Sequence, residues 1–473
     1  MLHFYKSSES GSNVCDTYFK YRQMERARFG SRLGMILATA GSAVGLGNIW
    51  RFPYMAGDNG GAAFILIYIM CVMLLGLPCM INEFIIGRNA ASNTARSYRK
   101  LSGGTPWAAV GYLGVATGFL ITGYYLVVSG WCLQYIYASV VGELSGDAAY
   151  FESYFKSFEK DPVKPVMWAL AFVAITHIVV SRGVRGGIEK ASKLLMPALF
   201  ILLLVIVVSS CMLPGAVKGI SFLFNPDFSK MDGNVFLGAL GQSFYSLSIG
   251  MGCICTYASY FKKDTNLPGS AVQIGVIDSV VAVLAGLMIF PAAFSVGVNP
   301  DSGPSLLFIT LPNVFQQAFG DIPAVGLVVS LAFYALLSLA ALTSLISLHE
   351  VSTAFVQEEF KTTRHRAATA VTLMCGIMAV FCSLSLAGYD GLKVFGMPLF
   401  GFLDFFTGQI LLPVGGFFTC LFVGWYLPRD MVRNEFTNHG MIYNAMFGIY
   451  LFAVRFVCPL CILLIFMHQF GII

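Results

Sequence analysis

Charged residues are scarce in this chain of 473 residues: Asp, Glu, Lys and Arg together make up only 11% of it. A soluble domain has about 25% charged residues, so this shortage excludes an ordinary water-soluble fold. Hydrophobic residues instead account for 57% of the chain, and its mean hydropathy is +0.75. Lipid rather than water must therefore be the solvent for most of the surface.

Spacings typical of metal sites, disulfides and glycosylation are also missing. The twelve cysteines are scattered, mostly within apolar segments, and no CxxC pair recurs, so we expect neither a disulfide framework nor a zinc site. The chain has no N-x-S/T acceptor, which favours a bacterial inner (plasma) membrane over a glycosylated animal surface. The few polar residues in apolar segments assemble into no Ser/His/Asp constellation, so we expect no enzyme.

Long apolar stretches dominate what is present. A membrane-spanning helix needs about 20 mostly apolar residues, and the sequence predicts eleven such stretches, here called spans 1 to 11. They cover residues 33–55, 62–86, 108–141, 166–181, 191–213, 234–257, 270–297, 323–357, 366–388, 395–426 and 441–468. The expected fold is an all-α polytopic membrane protein, with a cytoplasmic N-terminal segment at 1–32 and a single transmembrane domain at 33–473.

Basic residues predict the orientation of this domain. The N-terminal segment is basic but has no adjoining cleavage site, so we expect it to stay in the cytoplasm rather than be removed as a signal peptide. It carries Lys20, Arg22, Arg26, Arg28 and Arg32. Most of the remaining Lys and Arg then fall in inner loops, as the positive-inside rule requires. The net charge of +5 thus reflects topology rather than a nucleic-acid partner, and the C-terminus is expected outside.

Two predicted spans contain clusters of glycine and serine. Span 1 holds the segment 41–48 and span 6 holds the segment 246–252. Close packing of helices through small residues is one explanation. The offset of five spans favours another, in which two inverted five-helix repeats each begin with a broken helix. Repeat 1 would cover about 33–213, repeat 2 about 234–426, and an extra helix about 441–468.

A broken helix in a membrane has a chemical consequence. Unwound backbone is tolerated only where protein or a cavity supplies partners for its amides and carbonyls. The N-terminus of a half-helix attracts a carboxylate, and freed carbonyls suit a hard cation such as Na⁺. The two breaks therefore predict a transporter that binds an anionic group together with cations.

A series of motifs around these breaks resembles the neurotransmitter:sodium symporter family, in its eleven-span bacterial amino-acid branch. The resemblance runs through all spans and includes Arg26-x-x-Phe-Gly-Ser-Arg32, Gly41-Ser-Ala-Val-Gly-Leu-Gly-Asn-Ile-Trp-Arg-Phe-Pro53, Asn59-Gly-Gly61, Gln242-Ser-Phe-Tyr-Ser-Leu-Ser-Ile-Gly-Met-Gly252, Thr256-Tyr-Ala-Ser-Tyr260, Phe308-Ile-Thr-Leu-Pro312 and Ala341-Leu-Thr-Ser344. It implies sodium-coupled import of a hydrophobic or aromatic L-amino acid by alternating access and leaves the oligomeric state open.

The resemblance implies two sodium sites made of oxygen ligands. The first would be formed by the substrate carboxylate with Ala43, Asn48, Ser246 and Asp278. The second would be formed by Gly41, Val44, Ala340, Thr343 and Ser344. Because cargo and ion share the first site, each strengthens the binding of the other.

The resemblance also implies a pocket for the cargo. Monoamine carriers of the family have an aspartate where this chain has Gly45, so an α-amino acid is favoured over an amine. Tyr125 and the nearby amides would bind its carboxylate, and the lining suits a hydrophobic or aromatic side chain. The expected binding residues are Ser42, Ala43, Leu46, Gly47, Ile121, Tyr125, Tyr245, Ser246, Ser248, Met251, Ser344 and Leu348.

Asp278 departs from the family pattern, which usually has asparagine at this position. Chloride-dependent relatives also have a serine one turn later, where this chain has Ala282. A polar contact between helices is the simpler explanation, but an ionisable group deep in a span is functional by default. We therefore expect Asp278 to supply the negative charge that chloride supplies elsewhere, and we expect no chloride cofactor.

Two charged pairs are candidates for gates. Arg51 and Asp404 would pair on the outer side, above a lid formed by Tyr125 and Tyr245. Arg26 and Glu358, near Tyr260, would pair on the inner side, although ordinary juxtamembrane charge also explains them.

Other buried ionisable groups leave alternatives open. Glu83 resembles the family's acid that supports the unwound backbone, although a proton relay is a second interpretation. His349 and Glu350 are better explained by polar contacts than by proton coupling, and His177 receives no role. The competing functions are a proton-coupled amino-acid carrier on the same fold, a non-transporting amino-acid sensor and, from another class, a channel.

Overall fold

The computed structural model describes residues 26–230, 232–297, 306–319, 323–441 and 445–471, so the predicted charges at Lys20 and Arg22 lie outside the described residues. In these ranges the regular structure is helical, apart from a short antiparallel pairing of Lys393–Val394 with Met397–Pro398. Nine helices of the described part are long and apolar enough to cross a membrane. They correspond to spans 2–5 and 7–11 and comprise Ala62–Ala90, Ala108–Val141, Lys164–Ser181, Val184–Cys211, Leu267–Ser295, Ala324–Glu359, Arg364–Leu386, Leu399–Tyr426 and Met446–Gln469.

Spans 1 and 6 are each divided into two helices. Span 1 consists of Arg32–Ala43 and Gly47–Asp58, which are bent by 57° relative to each other. Span 6 consists of Gly233–Ser246 and Cys253–Ala258. With these two broken spans, the prediction of an all-α membrane protein with interruptions in spans 1 and 6 is confirmed.

The beginnings of several helices are set by capping side chains. Ser31 accepts a hydrogen bond from the amide of Gly34 at 3.0 Å where span 1 begins. Asp232 caps span 6, and Asn266 caps span 7. Such caps satisfy amides that have no partner within the helix, and each contributes about 1 kcal/mol.

Prolines explain the wide turns within several spans. Proline lacks an N–H group and clashes with the carbonyl four residues earlier, so an α-helix must widen or kink there. π-helical turns at 47–51, 72–76, 306–310, 406–411 and 453–457 come directly before such prolines. The prolines are Pro53, Pro78, Pro312, Pro413 and Pro459.

Glycines bring the surrounding spans close to the break in span 6. A Cβ atom at Gly87 of span 2 would lie 2.1 Å from the carbonyl oxygen of Cys255. One at Gly118 of span 3 would lie 3.0 Å from the carbonyl oxygen of Met251. Only residues without a side chain allow this approach, and it encloses the unwound backbone in protein instead of lipid.

Candidate functional site

The break in span 1 exposes backbone groups that find partners on neighbouring elements. Val44 ends the first half-helix in an extended conformation, with φ −70° and ψ 101°. The amide of Leu46 then donates to the hydroxyl of Tyr125 at 3.0 Å, and the amide of Gly45 donates to Oδ1 of Asn48 at 3.1 Å. The unwound segment is thereby fixed against span 3.

The break in span 6 is held by an acid from span 2. Both oxygens of Glu83, which is 2% exposed, accept backbone amides: that of Gly250 at 2.7 Å and that of Cys255 at 3.0 Å. The chain turns here through positive φ at Ser248, Gly250 and Gly252, a conformation that favours glycine. These contacts match the structural role expected of Glu83 and use both of its oxygens.

Ser248 connects the two breaks. Its hydroxyl donates to the carbonyl of Ser42 at 2.8 Å. Ser248 is a non-glycine residue with φ 55°, a sparsely populated conformation that persists where its surroundings impose it. The hydroxyl of Ser42 is itself buried without a hydrogen-bond partner in the described structure.

A polar cluster lies beside the two breaks and is centred on Asp278. Its carboxylate accepts from Nδ2 of Asn48 at 2.8 Å, from the hydroxyl of Tyr68 at 2.9 Å and from the hydroxyl of Ser246 at 2.8 Å. Asn48 also donates to Ser246 at 3.0 Å. All four residues are at most 3% exposed. The structure therefore brings together the three side chains assigned to the first ion site.

A second group of oxygens lies between span 1 and span 8. The hydroxyl of Ser344 lies 3.3 Å from the carbonyl oxygen of Val44 and 3.5 Å from that of Gly41. The hydroxyl of Thr343 lies 3.0 Å from the carbonyl oxygen of Ala340. The residues assigned to the second ion site are thus adjacent, and all their contacting atoms are oxygens.

The apolar residues assigned to the cargo pocket are buried around the same breaks. Ile121, Met251 and Leu348 are 4%, 6% and 4% exposed and belong to the common core. A Cβ atom at Gly47 would lie 3.2 Å from the ring of Tyr245, so the second half-helix of span 1 passes close to this ring. One wall of the expected pocket is therefore aromatic.

The outer pair is not in contact in this structure. Arg51 instead lies over the ring of Tyr245, with its guanidinium carbon 4.8 Å from the ring centre. The part of the chain that the structure describes has no ion pair between Arg51 and Asp404, although the two charges are near enough to interact electrostatically. A narrow cavity lined by Arg51, Tyr245, Gly408 and Leu412 lies at this level. The cation–π contact was not foreseen from the sequence.

The inner pair is in contact. Arg26 forms an ion pair with Glu358, lies 4.4 Å from the centre of the Tyr260 ring and donates to the hydroxyl of Ser259 at 2.6 Å. Glu358 also accepts the backbone amide of Asn93 at 2.9 Å. The N-terminal segment, span 6 and span 8 are therefore connected on this side of the molecule.

Sequence reasoning missed two further contacts on the inner side. Glu350 forms an ion pair with Arg364 and accepts a hydrogen bond from the hydroxyl of Tyr260. These two partners compensate for the burial of its carboxylate. Glu189 accepts the amide of Gly30 at 2.6 Å and that of Ser31 at 3.1 Å. No spacing in the sequence connects these residues, because their partners are distant along the chain.

Two histidines, the buried His349 and the partly buried His177, have polar neighbours. His349 contacts Thr353 through Nδ1 and Thr372 through Nε2, both at 2.9 Å. His177 also contacts Thr372 at 2.9 Å. Since both nitrogens of His349 are occupied, these contacts match the interpretation of this residue as a satisfied polar group.

Comparisons with known proteins cover almost the whole chain. The sequence model of the sodium:neurotransmitter symporter family matches residues 26–157 and 145–472. The uncharacterized sodium-dependent transporter YhdH of Bacillus subtilis (strain 168) is 37% identical over 453 residues, covering 95% of this chain and 99% of its own. An uncharacterized sodium-dependent transporter of Haemophilus influenzae is 35% identical over 459 residues, covering 94% and 98%. The crystal structure of MhsT in complex with L-phenylalanine superposes with a TM-score of 0.84 at 40% identity, covering 94% of this chain and 100% of MhsT.

Proposed function

The chain belongs to the sodium:neurotransmitter symporter family and is a sodium-dependent, multi-pass membrane transporter; we propose that it imports a hydrophobic or aromatic L-amino acid with two Na⁺ ions and without chloride. The observation that carries this proposal is the buried cluster of Asn48, Ser246 and Asp278 between the breaks of spans 1 and 6. Oxygen atoms are the ligands that hard cations prefer.

The first Na⁺ is proposed to bind among Asn48, Ser246, Asp278 and the carbonyl of Ala43. The carboxylate of Asp278 is now surrounded by three donors, so its charge is balanced by hydrogen bonds. A bound Na⁺ would replace some of these hydrogen bonds, because a hydroxyl can rotate away from the carboxylate and offer a lone pair to the ion instead. The carboxylate of the amino acid would complete the shell, and the affinities of ion and cargo are thereby coupled.

The second Na⁺ is proposed to bind between spans 1 and 8. The carbonyls of Gly41 and Val44 face the hydroxyl of Ser344. Thr343 directly precedes Ser344 in the chain, and its hydroxyl lies 3.0 Å from the carbonyl oxygen of Ala340. These groups come from the broken span and from a continuous span. An ion bound to oxygens of both span 1 and span 8 would therefore favour one position of these spans relative to each other.

An amino acid is the cargo that the pocket supports best. Tyr125 and the amide of Leu46 provide polar groups for a carboxylate, and Gly45 leaves no acid to compete with it. Ile121, Met251 and the ring of Tyr245 provide apolar surroundings for a side chain. MhsT, which shares 40% identity with this chain, was solved with L-phenylalanine.

Replacing Gly45 by alanine should weaken sodium-dependent amino-acid binding about 5- to 150-fold, since overpacking costs about 1–3 kcal/mol. The new Cβ would lie 2.7 Å from the hydroxyl of Ser344 and 3.1 Å from that of Tyr125, both assigned ligands. Equilibrium binding of a labelled amino acid at graded Na⁺ concentrations measures the effect. Gly401→Ala is the matched control, because no atom lies within 4 Å of its added Cβ. Wild-type affinity in Gly45→Ala would remove Ser344 and Tyr125 from the proposed site.

The two gates support alternating access. The inner pair Arg26 and Glu358 is closed, and the outer pair Arg51 and Asp404 is apart. In this state the proposed site is therefore shielded by a charged pair on the inner side and not on the outer side. We place the N-terminus in the cytoplasm, the C-terminus outside and the protein in a bacterial inner membrane, in line with its basic inner loops.

Uptake into proteoliposomes tests this function directly. The purified full chain is reconstituted, and a panel of labelled amino acids is offered under inward Na⁺, K⁺ or H⁺ gradients, with chloride or with gluconate. We expect accumulation of a hydrophobic or aromatic amino acid under the Na⁺ gradient alone, equal in both anions. Vesicles without protein and vesicles with a sodium ionophore are the controls.

Other results would identify the competing functions. Uptake driven by H⁺ would replace the sodium assignment by a proton-coupled carrier. Binding without accumulation would identify a sensor. A requirement for chloride would contradict the role proposed for Asp278 while leaving sodium coupling intact.

A further inference from the structure

Three cysteines from three different spans meet in the interior, away from the residues assigned to transport. Cys79 lies in span 2, Cys420 in span 10 and Cys458 in span 11. Their exposed fractions are 2%, 0% and 0%, and their three sulfur atoms lie within 4.8 Å of one another. The scattered positions of the cysteines in the sequence do not predict this cluster.

The spacing of the sulfurs fits a single metal ion. With a metal–thiolate bond of about 2.3 Å, the sulfurs of a trigonal site lie about 4 Å apart. The sulfurs of Cys79 and Cys420 are 3.5 Å apart, and the sulfur of Cys458 lies within 4.8 Å of both. Small rotations of the side chains would therefore place all three sulfurs around one ion.

A second layer of polar groups is directed at one of these sulfurs. Nδ2 of Asn82 lies 3.5 Å from the sulfur of Cys420 and donates to it. The other end of the Asn82 amide is occupied, because Oδ1 accepts the hydroxyl of Tyr450 at 2.6 Å. The tyrosine thus keeps the NH₂ group turned towards the sulfur. Hydrogen-bonded outer groups of this kind orient metal ligands and tune their basicity.

Asn82 donates a hydrogen bond to the sulfur of Cys420 but not to those of Cys79 and Cys458. Cys458 itself donates to the carbonyl of Leu74, with 3.7 Å between sulfur and oxygen, as a neutral thiol does. The thiol of Cys79 can donate to the sulfur of Cys420, 3.5 Å away. If it does, the described residues present one sulfur that accepts hydrogen bonds, as a thiolate does, and two neutral thiols. A buried cluster with three thiolate charges would be far too costly in this apolar interior.

The chemistry of the group selects the class of ion. Within the described part of the chain, the group contains sulfur ligands only, without a carboxylate or an imidazole. Sulfur ligands select soft ions such as Cu⁺, whereas structural Zn²⁺ requires four ligands. One Cu⁺ that replaces the proton of Cys420 forms a bond to this thiolate, accepts lone pairs from the sulfurs of Cys79 and Cys458, releases one H⁺ and leaves the site neutral. A divalent ion would leave an uncompensated positive charge unless a second thiol also ionised.

We propose that Cys79, Cys420 and Cys458 form a binding site for one soft monovalent cation of the Cu⁺ type. Such an ion would connect span 2, which supports the break in span 6 through Glu83, to spans 10 and 11. The site is independent of the sodium and amino-acid sites, with which it shares no residue.

Competition with a coloured Cu⁺ chelator tests the site. The full-length protein is purified in detergent under anaerobic conditions, ascorbate keeps the copper reduced, and the colour of the bicinchoninate complex reports the copper that the protein does not hold. We expect the wild type to retain one Cu⁺ per chain. Cys420→Ser should abolish this retention, and Asn82→Leu should weaken it about 10- to 100-fold by removing the donor to the sulfur. Cys382→Ser is the matched control, because Cys382 is a buried thiol of span 9 outside the cluster.

A measurement on the wild type keeps the proposal testable if a variant does not fold. Ag⁺, a redox-stable ion of the same charge and softness, should raise the thermal unfolding midpoint in chloride-free buffer, and Zn²⁺ should not. Copper retention in Cys420→Ser equal to the wild type, or no retention by the wild type, would overturn the site. Equal retention of Zn²⁺ would overturn the assignment to a monovalent ion. A disulfide between Cys79 and Cys420 in the anaerobically purified protein would overturn it as well.

Discussion

Asp278→Asn is expected to lower sodium-driven uptake in chloride-free buffer about ten- to hundredfold, since hydrogen bonds to a charged group contribute about 1.5–3 kcal/mol each. The substitution removes the negative charge that faces the proposed sodium site. It also turns an NH₂ group towards Asn48, Tyr68 or Ser246, all of which now donate to this carboxylate. Initial rates in proteoliposomes with gluconate as the anion measure the loss.

The response to chloride provides a second test of this prediction. The double variant Asp278→Asn, Ala282→Ser restores the polar pattern of chloride-dependent relatives, so chloride should recover part of its uptake. Asp390→Asn is the control, because Asp390 is exposed in the segment between spans 9 and 10, where it pairs with Lys393. Unchanged uptake by Asp278→Asn without chloride would show that this carboxylate does not serve the ion site.

Glu83→Gln is expected to destabilise the folded protein, with a loss of about 1–3 kcal/mol for each buried amide that loses its acceptor. Each oxygen of Glu83 accepts one backbone amide of the unwound part of span 6. Glutamine keeps one acceptor and places an NH₂ group against the amide of either Gly250 or Cys255. Two donors then face each other in a site that water does not reach, and the break in span 6 loses its support. The apparent unfolding temperature in detergent should fall, and uptake should fall with it.

The alternative role of Glu83 makes a different prediction. A proton relay would leave the unfolding temperature of Glu83→Gln close to that of the wild type while changing the response of uptake to a pH gradient. Glu143→Gln serves as the control, since Glu143 lies in the segment between spans 3 and 4, where its carboxylate accepts the hydroxyl of Tyr154 rather than an amide of span 6. A stable Glu83→Gln protein with altered pH dependence would contradict the structural role.

The sequence predicted well the features that depend on local pattern. Apolar runs of about 20 residues give a spanning helix wherever they occur, because backbone groups in lipid must be satisfied within the segment. The predicted spans therefore overlap the helices closely, and Ala108–Val141 of span 3 agrees at both ends, whereas the helix of span 5 begins at Val184 rather than at residue 191. The glycine clusters at 41–48 and 246–252 also predicted both breaks, because glycine weakens a helix interior.

The residues of the proposed sodium site were predicted from the family resemblance and not from local pattern. Asn48, Ser246 and Asp278 are far apart in the chain, and only the resemblance to a family assigned them to one site. The structure places these three side chains in mutual contact. Their roles as ligands of an ion remain predictions, for which Asp278→Asn is the most direct test.

The contacts that escaped sequence reasoning are those between side chains of different spans. Arg51 lies over Tyr245 rather than against Asp404, because the bend of span 1 sets the direction of the arginine. Three scattered cysteines form one cluster, because spans 2, 10 and 11 pack together there. Glu350 pairs with Arg364, because span 9 begins beside the inner end of span 8.

The sequence by itself determined the class of the molecule, the positions of its long apolar helices and the places where two spans break, since hydropathy and glycine content act over neighbouring residues. The tertiary structure alone decided which side chains meet across the bundle, which of the two charged pairs is in contact and where the buried thiols converge. Such contacts depend on the angles and registers at which helices pack, and these follow from the fit of many side chains at once.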